Sequence, residues 1–90
     1  MSQVAYLGES PNTTSSVTFT CTCSKVGATI IVLDHMNGGE AAVSGLSLIY
    51  RESTTSKQWG MRFNIYKSTS TTLTLRAVEY YPVTGVYEVV

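Results

Sequence analysis

At 90 residues the chain has the size of one domain, able to bury somewhat over ~60% of the surface it exposes when unfolded. Six basic and six acidic side chains cancel, and the 13% charged fraction is about half the usual share. The clustered basic excess with which nucleic-acid binders hold a polyanion is missing, so nucleic acid is not an expected partner, whereas a neutral, charge-poor surface favours association.

Thirteen threonines and eleven serines interleave with Val, Ile, Tyr and Phe. Threonine's branched side chain suits a pleated, half-exposed surface, so this composition predicts strands. The amino terminus, MSQVAYLG, lacks a basic segment followed by an apolar run, and no apolar stretch approaches the ~18 residues of a membrane span. The expectation is no membrane insertion and a cytoplasmic location, or a virion reached by another export route.

Taken in order, Gln3 to Leu7 is a short strand, followed by a polar loop over residues 8–15 that contains the sequon Asn12-Thr13-Thr14. Ser16 to Cys23 alternates, with Val17, Phe19, Cys21 and Cys23 directed to a core and Ser16, Thr18, Thr20 and Thr22 to water. Ala28 to His35 differs, because Ile30 and Val32 point one way while Ile31 and Leu33 point the other. Both faces of that strand need a cover, which predicts a loop or a second subunit over Ile31 and Leu33.

Asn37-Gly38-Gly39 marks a turn, and Ala41 to Glu52 is one long strand or two short ones interrupted at Gly45. Gln58 to Tyr66 is the clearest strand of all. Trp59, Met61, Phe63 and Ile65 occupy every second position and are expected in the core, leaving Gln58, Arg62, Asn64 and Tyr66 outside. Lys67 to Thr71 is the next loop, Thr72 to Tyr81 the next strand, Pro82 to Gly85 a turn, and Val86 to Val90 the last strand.

The short loop at 67–71 predicts a hairpin that pairs Ile65 with Leu73, Phe63 with Leu75 and Met61 with Ala77, and sets Arg62 opposite Arg76. Around Pro82 a register pairing Tyr80 with Glu88 and Val78 with Val90 is preferred to one that opposes Glu79 and Glu88. It brings Glu88 to the face of the two arginines. The outer face of this unit would then carry Gln58, Arg62, Asn64, Tyr66, Thr74, Arg76 and Tyr80, and is the candidate site for a glycan or a protein partner, with Trp59 as a core or rim anchor that could stack on a sugar.

Cys21 and Cys23 share a face two residues apart, at the limit of disulfide reach, and are read as small buried residues. His35 is the one histidine and has no patterned partner, so neither a closed metal site nor a catalytic set can be assembled around it and Asp34. No enzymatic activity, metal or cofactor is expected.

Seven or eight short strands at intervals of roughly 8 to 12 residues, with no helical period, predict an all-β antiparallel sandwich of Greek-key (Ig-like) or jelly-roll connection, occupying residues 1–90 as one domain. The stretches ATIIVLDHMNGG, VSGLSLIYRES, QWGMRFNIYKS and TLTLRAVEYYP, spaced by Ser/Thr-rich loops, resemble small β-sandwich modules of bacteriophage tail and other virion proteins over residues 16–82. The resemblance implies a structural or attachment module working in repeated copies; the two apolar sides of the 28–35 strand point to a homo-oligomer interface at Ile31 and Leu33. Carbohydrate binding through Trp59, Arg62, Asn64, Tyr66, Arg76 and Tyr80 is the alternative.

Overall fold

The computed structural model of the chain describes residues 3–11, 14–39, 41–52 and 60–90; Gln58, Trp59, the 53–57 loop and the sequon residues Asn12 and Thr13 lie outside them. The strands among the described residues are β1 (Val4–Gly8), β2 (Val17–Thr22), β3 (Thr29–His35), β4 (Ala42–Ser44), β5 (Leu46–Arg51), β6 (Met61–Ser68), β7 (Thr72–Ala77) and β8 (Val83–Val89). Met36–Gly38 forms a single 3-10 turn where the glycine-rich turn is expected. The strands make two antiparallel sheets, β1-β8-β3-β6-β5 and β2-β7-β4. Between them lies a core of Ile30, Val32, Tyr66, Leu73, Leu75 and Val86, to which Cys21, Cys23 and Ala77 add, with Phe19 and Leu46 packed at its margin. The chain is an all-β sandwich.

Local steric signals place the strands well. The 41–52 stretch divides at Gly45, whose φ is +81° and whose missing Cβ would lie 2.3 Å from the Thr72 carbonyl oxygen. Only glycine can let the backbone cross from the small sheet to the large one at that distance. Alternation in β2 also falls as expected: Cys21 and Cys23 are buried, Val17 and Phe19 half-buried, and Thr18, Thr20 and Thr22 exposed.

Pairing is where the expectation fails. β6 and β7 do not form a hairpin; β6 lies between β3 and β5 in the large sheet, and β7 lies between β2 and β4 in the small one. Leu73, Leu75 and Ala77 therefore face Cys21, Phe19 and Val17, and Arg76 faces Thr18 instead of Arg62. Three crossings between the sheets lie against one another and hold this arrangement. Thr69 donates its N–H to the Gly45 carbonyl at 2.8 Å, and Cys23 donates to the Thr71 carbonyl at 2.9 Å. The buried Ser68 hydroxyl accepts from Ala28 N–H and donates to the Lys25 carbonyl, both at 2.9 Å. The end of β6 is thus tied to the loop before β3, and the chain leaves for the other sheet.

β8 likewise pairs with β1 and β3, not with β7. Its start at Val83 absorbs the expected turn, and the chain reverses instead at the bridge between Val78 and Tyr81, where Tyr80 adopts φ +64°.

The phase of β6 is the reverse of the one expected. Arg62, Asn64, Tyr66 and Ser68 point inward and are buried, whereas Met61 and Phe63 are exposed and Ile65 is half-buried. The cause lies across the strand pair: Arg62 is in register with Asp34 on β3, and Asp34 has the same parity as the core residues Ile30 and Val32. Arg62 Nε and Nη2 donate to the two Asp34 carboxylate oxygens at 3.1 and 3.0 Å, and Nη2 also donates to the Gly39 carbonyl. With the guanidinium so partnered, the Tyr66 ring fills the interior opposite Ile30, and the apolar phase of the strand is turned out.

Candidate functional site

The residues expected to form one binding surface are not brought together. Arg62, Asn64 and Tyr66 are buried between the sheets, Arg76 is exposed on the threonine face of the small sheet, and Tyr80 is exposed at the 78–81 reversal. Trp59 lies outside the described residues. Glu88, expected to offset Arg62 and Arg76, is on the inner face of β8 opposite Ile30, at the other end of β3 from the Asp34–Arg62 pair. Its carboxylate accepts the Ser24 N–H at 2.9 Å and the Ser24 hydroxyl. Asp34 and His35 face opposite ways, and the His35 ring stacks on Tyr81 with centroids 4.7 Å apart. Among the described residues no three His, Cys, Asp or Glu side chains are grouped to hold a metal ion.

Ile31 and Leu33, by contrast, stand in the middle of a coherent feature. The register of the large sheet aligns Tyr6, Tyr87, Ile31, Ile65 and Tyr50 in one unbroken row across all five strands on the outer face. A second row brings Leu33 and Phe63 side by side next to Gly85, and Met61 continues the face beside His35. Tyr6, Tyr50, Met61 and Phe63 expose 54, 47, 47 and 37% of their surface, while Ile31, Leu33, Ile65 and Tyr87 are half-buried by their neighbours.

Local packing keeps this face apolar. Any Cβ on Gly85 would come within 2.6 Å of the Tyr87 ring, so the ring lies over the glycine two residues before it. Tilted aromatic contacts tie the edge strands to their neighbours, at 5.6 Å for Tyr6–Tyr87 and 5.9 Å for Tyr50–Phe63. The Tyr6 hydroxyl donates to Glu9 Oε1 at 2.5 Å, and this bond to a carboxylate pushes the phenol up to about 12.

The opposite side of the sandwich supplies an internal contrast. There the outward residues of β2 and β7 are Thr18, Thr20 and Thr22, paired with Arg76, Thr74 and Thr72, and Val43 and Ser44 are exposed on the short edge strand β4. One outer face is built for water and the other is not. Sequence reasoning found its centre through the two-sided apolar run of β3, but it missed Met61, Phe63 and Ile65 by assigning them to the core. Asp34, sharing parity with Ile30 and Val32, was the available sign that β6 turns its arginine inward.

Comparison with protein-family models, with curated proteins and with solved structures finds no match for the chain. No helix among the described residues is long and apolar enough to cross a membrane.

The two free thiols are buried in the core, and burial pushes Cys21 up, away from thiolate. Neither is expected to react with a disulfide reagent at mildly alkaline pH until denaturant is added, when both should react. Rapid stoichiometric labelling of the native protein would contradict the core position of β2.

Proposed function

We propose that the chain is a non-enzymatic structural or attachment module that works inside an assembly, with the outer face of the five-stranded sheet as its docking surface. A virion setting follows from the resemblance of its strand rhythm to phage tail modules. The observation that carries the reading is the difference between the two outer faces: threonines on the small sheet, and a cross-strand row of Tyr6, Tyr87, Ile31, Ile65 and Tyr50 on the large one. Contiguous exposed apolar surface of this kind on a chain of zero net charge marks an interaction surface. The polar groups that chemistry would draw on are otherwise engaged, Asp34 with Arg62 and His35 against Tyr81.

In an extract of its native source the chain should travel with particles far larger than itself, and Phe63→Glu should release it as a free species. Free travel of the wild-type chain would overturn the reading. So would saturable binding on a glycan array that persists in Phe63→Glu and is lost in Arg76→Ala or Tyr80→Ala.

A further inference from the structure

We infer that the outer face of the five-stranded sheet is covered by a second copy of this chain, in an isologous face-to-face contact centred on Ile31 and Leu33. The inference rests on reading that face as an assembly surface, and adds what covers it. β3 is the middle strand, with two strands on either side, so Ile31 and Leu33 occupy the centre of the face. A contact of two-fold symmetry places the same patch against itself, which requires a face that does not repel its own image. The row from Tyr6 to Tyr50 and the row of Gly85, Leu33 and Phe63 contain no charged side chain. Lys67 and His35 stand at opposite ends, in register with Thr29 and Met61 respectively. Glu9, bonded to Tyr6, and Glu52, whose N–H bonds the Phe63 carbonyl, are acids at the margin of this face, and the chain as a whole carries no net charge to oppose the approach of an identical copy.

Size and shape agree. The two longer extents of the molecule are 33 and 24 Å, which bounds a flat contact at about the ~800 Å² per partner of a standard stable interface. Pleated sheets of one twist pack face to face at ~10 Å, and here two copies would stack their large sheets inside and their threonine faces outside. The edge of the large sheet is the competing route, since Leu48, Ile49 and Tyr50 on β5 are all exposed. There the register shifts between Leu48 and Tyr50, and such a bulge interrupts the ladder that a neighbouring strand would need. The face carries a shift of its own, between Leu33 and Asp34 against β8, but a face-to-face contact uses side chains and not free ladder groups, and the row through Ile31 stays in register across the five strands. An anionic bilayer would call for a basic rim, and among the described residues Lys67 is the one lysine or arginine that the register places on this face.

Sedimentation of the purified full chain across the micromolar range is expected to show twice the chain mass. Leu33→Glu and Phe63→Glu should raise the dimer Kd by ~30-fold or more, the scale of losing a central hot spot. Thr20→Glu and Thr74→Glu on the opposite sheet should leave it unchanged, with circular dichroism confirming the fold of each variant. Should the Leu33 variant fail to fold, Ile31→Cys gives a second readout: near a two-fold axis it should cross-link to itself on mild oxidation, whereas Thr20→Cys should not. A wild-type monomer at every concentration overturns the inference, as does a dimer indifferent to Leu33→Glu and Phe63→Glu but dissociated by Ile49→Lys. A monomer in pure form that still enters large particles in extract would remove the second copy as occupant and leave the assembly reading standing.

Discussion

Arg62→Met is expected to lower the unfolding free energy by about 3 to 5 kcal/mol, the cost of removing one partner from a buried ion pair. Arg62 and Asp34 are 3% and 2% exposed, and the guanidinium meets the carboxylate through two hydrogen bonds at 3.1 and 3.0 Å. Methionine fills most of the volume but leaves the Asp34 carboxylate without its cation, and leaves the Gly39 carbonyl without the Arg62 donor. Small domains hold about 5 to 15 kcal/mol in all, so the variant should melt ~12 °C or more below wild type. The double variant Asp34→Leu, Arg62→Met should recover a large part of that loss, because an apolar pair costs less inside than one stranded charge. Chemical denaturation of the two single variants and the double variant measures the coupling. A loss under about 1 kcal/mol for Arg62→Met would mean that the pair is solvated, the range of surface ion pairs, and the inward phase of β6 would fall with it.

Gly45→Ala is expected to cost about 3 kcal/mol or more, from two separable causes. A residue with a side chain at φ +81° costs about 1 kcal/mol or somewhat more in backbone strain. The new Cβ would also sit 2.3 Å from the Thr72 carbonyl oxygen, so the small sheet must shift at β7, whose next residue, Leu73, is fully buried. Gly39 separates the two causes. It has φ +75° with nothing within 4 Å of an added Cβ, so Gly39→Ala should show the strain alone, about 1 kcal/mol. Equal losses in the two variants would show that the close crossing at Thr72 contributes nothing.

Both predictions concern positions that the sequence marks unequally. Gly45 was legible, because a lone glycine in an alternating run has few uses other than a break between strands, and the structure uses it for the crossing between sheets. Arg62 was not. Its strand offers Met61, Phe63 and Ile65 on one parity and Arg62, Asn64 and Tyr66 on the other, and hydrophobicity alone selects the first for the interior. The partner that reverses the choice is Asp34, 28 residues earlier, and nothing local announces that the two are in register. The same distance problem hid the neighbours of β6 and β7. A three-residue link suggests a hairpin, yet among the described strands β5 to β6 is the one step between consecutive strands that stays within a sheet.

The sequence by itself determined that this is an all-β chain, roughly where each strand begins and ends, where Gly45 divides one, and that β3 has two apolar sides. These follow from alternation, threonine content and turn residues, which act over a few positions. The tertiary structure alone decided which strands are neighbours and which parity of β6 faces in, because a period of two has two phases of equal local merit. The buried Asp34–Arg62 pair and the packed Tyr66 ring select one phase, and that choice turns Met61, Phe63 and Ile65 outward to join Ile31 and Leu33 on the face where the chain is proposed to dock.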